Sequence, residues 1–224
     1  LAEEQTAGAG RRGRGWVSPP GGGVYLSVLL RPGEVPMAAL GSLAAVAGLA
    51  LTDTTADLGV EAVLKWPNDV LAGADGGKCA GVLAEAVSSD EQAVVLGIGV
   101  NVAPLRTAVR PGPGGLAPTS LAEEGAVRTD RTEIAATLLT ALDARERPWR
   151  AAHGDLRAAG LLDEYRARCS TLGQQVRIEV PGGRGRSAVA VDVDATGALV
   201  VDEGGGRTRT VFAADVVHLR PVSG

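Results

Sequence analysis

Apolar positions along this chain fall into short blocks whose spacing changes character several times. From Val24 to Leu30, Val and Leu recur on alternate positions, the period of a strand with one buried face. Pro36 stands where the first turn of a helix accepts proline. Met37 to Leu51 then carries Ala and Leu on nearly every face, which predicts a helix buried against a sheet. Glu61 to Trp66 reads as a short strand halted by Pro67. Cys79 to Val87 and Ala93 to Val102 are two further apolar runs joined by Ser88-Ser89-Asp90-Glu91, and they predict neighbouring antiparallel strands.

Residues 103–119 hold four prolines and three glycines and read as a surface loop. Asp130 followed by Glu133 is a helix-start signal, and helical spacing continues from Ile134 to Arg147. Asp155 to Arg168 is a second amphipathic candidate. After Thr171 the pattern shifts to Val-rich runs at 176–180, 188–193, 198–201, 208–212 and 215–219, split by Gly-rich turns. Five strands in so short a stretch predict a small SH3-like β-barrel, with the domain boundary near residue 170.

Composition narrows the class. The 224 residues suffice for one sizeable domain and a small one, and 45% of them are apolar. Aromatics make up 3%, so Ala, Val and Leu must build the core. A net charge of −4 gives no global basic field for nucleic acid. Cys79 and Cys169 have no CxxC spacing, and reduced thiols in the cytoplasm are the expectation. Leu1 to Gln5 is acidic and reads as no signal peptide, and the run from Met37 to Leu51 is too short to span a bilayer. His153 and His218 lack ligand-spaced partners for zinc, and neither a Walker P-loop nor a GxSxG elbow occurs.

Three stretches carry chemistry. Glycines at 8, 10, 13 and 15 let backbone N–H groups approach an anion, while Arg11, Arg12 and Arg14 offer guanidinium forks. Taken alone, that loop suits a phosphate, an RNA backbone or plain solvent equally. Lys65-Trp66-Pro67-Asn68-Asp69 presents an amide and a carboxylate from a Pro-stopped turn. They suit a ribose hydroxyl or Mg²⁺, or merely close an Asx turn on local backbone. Lys78 opens the strand Cys79-Ala80-Gly81-Val82, where small neighbours leave room for a ligand; such lysines are otherwise solvated edge charges.

In this order, the three runs resemble the biotin protein ligase family. Its Gln-x-Ala element and Gly-Arg-rich loop fall on Gln5-Thr6-Ala7 and residues 8–14, with Ala9 where the family usually has Arg. The resemblance implies Gln5, Gly8, Ala9, Gly10, Arg11, Lys78 and Gly81 around biotin, with Arg11 and Lys78 catalytic. It implies Arg14, Trp16, Lys65, Asn68, Asp69 and Asn101 around ATP, Trp16 stacking on adenine and Asp69 as the candidate for Mg²⁺. Asn101 ends Gly97-Ile98-Gly99-Val100-Asn101, which is similar to the family's Gly-x-Gly-x-Asn strand. The implied fold is α/β (α+β): a mixed, mostly antiparallel sheet with helices on one face over residues 1–170, then the SH3-like barrel over 171–224.

The implied activity is ATP-dependent formation of biotinyl-5′-AMP and transfer of biotin to a lysine of a biotin carboxyl carrier protein, by a monomer or homodimer in the cytoplasm. Family members carry a Ser-Thr-Asn-type segment ahead of Gln-x-Ala, so the chain is expected to begin within its catalytic domain. No DNA-binding winged helix and no membrane partner are read. A lipoate ligase shares the superfamily but favours another arginine loop. A non-catalytic nucleic-acid or regulatory module using the arginine loop is the rival of a different class.

Overall fold

The computed structural model of this chain describes residues 1–87, 92–104, 116–178, 185–212 and 216–218. Two antiparallel sheets organise it. The first joins β1 (Gly23–Leu30), β2 (Ala62–Lys65), β3 (Asp69–Ala72), β4 (Gly77–Val87) and β5 (Ala93–Asn101) in the order β1-β5-β4-β3-β2. The second joins β6 (Gln175–Ile178), β7 (Arg186–Val193), β8 (Leu199–Asp202), β9 (Thr208–Val211) and β10 (Val216–His218) in the order β10-β6-β7-β8-β9. Every ladder among the described residues of these sheets is antiparallel, and among those residues parallel pairing occurs only as the isolated bridges Leu64↔Cys169 and Lys78↔Pro118. The predicted turn at 88–91 and most of the predicted loop at 103–119 lie outside the described residues.

One face of the first sheet is covered by helices. A 3-10 helix, Met37–Ser42, leads into α1 (Leu43–Asp57), which packs on β2, β3 and β4 and is itself covered by α2 (Arg131–Ala151). Leu43, Val46, Ala47, Leu49 and Ala50 are fully buried, as expected of a helix apolar all round. A β-carbon at Gly48 would lie 2.9 Å from Leu64 Cδ2, so this glycine lets α1 approach β2 closely. The helix runs past Leu51, and there Thr52, Thr54 and Thr55 satisfy their hydroxyls by donating back to the carbonyls of Leu49, Ala50 and Thr52. The 21 residues Met37–Asp57 are thus long and apolar enough to cross a membrane by length and composition, correcting the shorter reading. Here 67% of that run's most apolar stretch is buried within the fold.

Asp130 caps α2 as its sequence predicts, accepting from the N–H groups of Thr132 and Glu133. The second amphipathic candidate shortens to α3 (Leu162–Arg168), because Asp155 Oδ1 closes a turn on Ala158 N and Gly160 takes a positive φ of 72°. Leu156 N donates to Ala195 O, which ties this turn to the second sheet. Strand β3 is not visible in the sequence pattern, because four residues directly after Asn68 carry too little alternation. Thr119-Ser120-Leu121 leads into turns.

Candidate active site

Alternation on β4 and β5 decides what faces away from the helices. Leu96, Ile98 and Val100 point into the core, which leaves Val95, Gly97 and Gly99 on the opposite face. Register lines up Tyr25, Gly99, Gly81 and Asp69 as one row across four strands, with Lys65 beside Asp69 on the fifth. Glycine at the two central positions makes this row a shallow trough with a carboxylate at one end. The N-terminal segment lies over it as a hairpin: Gln5 pairs with Ser18, Ala9 with Gly15, and Trp16 N donates to Gly8 O at 2.8 Å. A 3-10 turn at Arg11–Gly13 forms the tip, closed by Gly10 N to Arg14 O at 2.7 Å and Arg14 Nε to Arg11 O at 3.1 Å.

Between hairpin and trough lies a hollow of about 300 Å³. Its walls include Gln5, Ala9, Gly10, Arg11, Arg14, Trp16, Asn68, Asp69, Lys78 and Gly81, so most residues assigned to biotin or nucleotide meet in one place. Gly8, Lys65 and Asn101 do not line it. Gly8 is locked beneath the Trp16 carbonyl, with no room for a β-carbon. Asn101 is buried, and its Nδ2 donates to Lys78 O at 3.3 Å and Thr119 O at 2.9 Å. It therefore fixes the backbone that carries Lys78. Lys65 Nζ lies 4.0 Å from Asp69 Oδ2. The floor glycines Gly97 and Gly99, Tyr25 and Ser27 also line the hollow. Reading β1 and β5 as paired with one open face gives the signal for them.

Charge in the hollow is arranged in pairs. Lys78 Nζ stands 2.6 Å from Asp69 Oδ1 and 5.2 Å from the centre of the Trp16 ring. The indole lies directly on the floor, so that a β-carbon at Gly99 would come 2.7 Å from Cε2 and one at Gly81 3.3 Å from Cζ3. Trp16 Nε1 is buried there with no hydrogen-bond partner among the described residues. Asn68 donates from Nδ2 to Val82 O at 2.6 Å, fixing the amide above β4. Gln5 Oε1 accepts from Ser18 Oγ at 2.8 Å, which leaves its Nε2 amide hydrogens for other acceptors. Cys79, the neighbour of Lys78, is fully buried, and burial pushes its thiol up to about 12, which argues against a nucleophilic role.

A larger hollow of about 960 Å³ lies along edge strand β2, between Thr52, Val63, Gly73 and Arg168. It contains none of the motif residues, and its size carries no chemistry. Among the described residues no group of three or more His, Cys, Asp or Glu side chains could hold a metal ion.

This geometry has relatives. Residues 1–101 match the biotin/lipoate A/B protein ligase family, and residues 171–219 match the biotin protein ligase C terminal domain. A biotin--[acetyl-CoA-carboxylase] ligase of Mycobacterium tuberculosis is 46% identical over 98% of this chain and 78% of its own length. The chain belongs to the biotin protein ligase branch of this family. A Paracoccus denitrificans ligase of the same name is 37% identical over 96% of the chain and 88% of its own length. Among solved structures, the Aquifex aeolicus biotin protein ligase in complex with biotin and ATP superposes with a TM-score of 0.74. It shares 26% identity, covering 97% of this chain and 87% of that one. The α/β class and the small C-terminal β domain expected of a ligase of this kind are therefore the observed ones.

Proposed function

We propose that this chain is a biotin protein ligase that condenses biotin with ATP to biotinyl-5′-AMP and then transfers biotin to a lysine of a carrier protein. One observation supports this above the rest: Arg11 and Lys78, from a hairpin and a strand far apart in sequence, line a single hollow with Asn68 and Asp69. In the first step a biotin carboxylate oxygen attacks the α-phosphorus, and the bond to the β-phosphate oxygen breaks, releasing pyrophosphate. In the second, an uncharged lysine amine attacks the acyl carbon. AMP leaves with the electrons of the C–O bond, and the amine gives up its proton.

Carboxylate and triphosphate repel, so cations must offset charge that grows at the transferring phosphorus. Lys78 takes this role by exchanging Asp69 for the incoming anions, and Arg11 approaches from the hairpin. Once Lys78 leaves it, Asp69 would be the carboxylate available to hold Mg²⁺ beside the phosphates. Mg²⁺ bound there would neutralise the phosphate oxygens. Gln5, with its amide oxygen engaged by Ser18, presents donors to the biotin end. The hairpin over the trough excludes water from the mixed anhydride.

Residues 1–170 would form the catalytic unit and 171–224 the C-terminal unit. The test is transfer of labelled biotin to a purified biotin carboxyl carrier domain with ATP and Mg²⁺. Labelling that depends on ATP supports the reading, and its absence at saturating biotin and ATP overturns it.

A further inference from the structure

The Lys65-Trp66-Pro67-Asn68-Asp69 turn is held from behind by the C-terminal unit. Trp66 is 3% exposed and does not line the hollow that holds Lys78. Its backbone N–H donates to Thr171 Oγ1 at 2.9 Å, and its indole Nε1 donates to Gly197 O at 2.9 Å. Two residues earlier, Leu64 O accepts from Ser170 N at 2.8 Å and Ser170 Oγ at 3.0 Å. The strand end that presents Asn68 and Asp69 is thus fastened at three points to chain more than a hundred residues away.

The Gly197 end of this link is itself rigid. Gly197 takes a φ of 79°, and a β-carbon there would lie 3.1 Å from Ser42 Cα at the start of α1. Its turn is closed by Asp194 Oδ1, which accepts from Thr196 N, Thr196 Oγ1 and Ala198 N. Ser42 is anchored in turn, donating to Gly154 O at 2.9 Å and accepting from Trp149 Nε1 at 2.7 Å. Trp66, Gly197, Asn68 and Arg11 border a third cavity, of about 240 Å³, and Arg11 and Asn68 also line the reaction hollow. The two spaces are neighbours that share walls.

We infer that Trp66 is a positioning residue: through its bonds to Thr171 and Gly197, the C-terminal sheet sets where Asn68 and Asp69 stand. The inference rests on the proposed function only in giving those two residues the nucleotide side of the reaction. Asn68 is also tied to Val82 O and Asp69 to the β3–β4 ladder, which fix the turn's far end; Trp66 fixes its near end. A buried indole that spends its one donor on a carbonyl 131 positions along the chain does more than fill space.

Two variants of the full chain test this from opposite ends. Trp66→Phe keeps an aromatic ring and removes the donor, whereas Gly197→Ala disturbs the acceptor through its positive φ and its contact with Ser42. Each should raise KM for ATP about fivefold to tenfold, with the calorimetric Kd for biotin within about twofold of wild type. Trp66→Tyr, which likewise cannot donate from the indole position, should fail to restore KM. An unchanged KM for ATP in both variants overturns the inference, as does a parallel weakening of ATP and biotin. Wild-type protein inactive in ATP-dependent biotin transfer would instead sink the functional reading itself.

Discussion

Lys78 Nζ and Asp69 Oδ1 lie 2.6 Å apart at the end of the glycine trough, the side chains of neighbouring strands closing on each other. With their side chains 26% and 16% exposed, they form a partly desolvated pair in a hollow that must accept anions. Such a pair holds the lysine in place before substrate arrives, and leaves the carboxylate available once the lysine turns to the ligand.

Lys78→Ala should therefore cut the rate of adenylate formation by about 10²–10³, the usual effect of losing one charge-stabilising group in a sheltered site. Arg11→Ala should act in the same range. Biotin-dependent pyrophosphate exchange measures this step apart from transfer. Thermal midpoints near that of wild type would show that the loss is chemical, and wild-type exchange rates would remove both residues from the reaction.

Much of this arrangement was legible because its parts are local. The glycine-arginine loop, the Pro-stopped turn and the strand-opening lysine are contiguous strings, and the alternation in β1, β4 and β5 is long enough to read. What stayed hidden depends on pairing. Register alone puts Gly81 opposite Gly99 and Asp69 opposite Gly81, and no string contains that row. Likewise Asn101, expected at the nucleotide, lies where its amide can hold Lys78 O, which only the third dimension reveals. The full extent of α1 is hard to read from sequence because threonine reads as polar, while its hydroxyl is satisfied by the helix's own carbonyls.

Gly99→Ala tests the trough. The added methyl would meet the Trp16 indole at 2.7–2.8 Å, so the ring or the strand must shift, at about 1–3 kcal/mol. Biotin affinity by calorimetry should fall about tenfold or more, since 1.4 kcal/mol is a factor of ten. Trp16→Ala in the same background removes the clash and should restore part of the folding stability. Undiminished biotin binding by Gly99→Ala would mean that the ligand does not use this floor.

Cys79 should resist alkylation by iodoacetamide in the folded protein at pH 8 and react at once in denaturant. Burial raises its thiol from 9.0 to about 12, and burial also raises Cys169. A raised acid favours the protonated folded state, so this stability is complete below pH 9 and is lost as pH climbs toward 12. Cys79→Ala should flatten that alkaline decline in thermal midpoint. An equally steep decline in the variant would assign the effect elsewhere.

Asp53 joins the three helices. Its carboxylate accepts from Arg145 of α2 at 2.8 Å and from Arg168 of α3 at 2.7 Å, and Arg145 also reaches Glu164 Oε2 at 2.7 Å. Burial alone would raise its pKa, but the hydrogen bonds from Arg145 and Arg168 outweigh it and hold the group below its ordinary value. A depressed acid stabilises the fold above its unfolded pKa of roughly 3.9 and loses that contribution as pH falls through the folded value. Asp53→Asn keeps the shape and removes the charge, and should cost roughly 1–2 kcal/mol at pH 7 after allowing for solvent screening. Urea melts at pH 7 and pH 3 separate the cases: the gap between wild type and variant should be full at neutral pH and smaller at pH 3, below the unfolded value. A gap that persists undiminished at pH 3 would trace the loss to packing and not to the carboxylate.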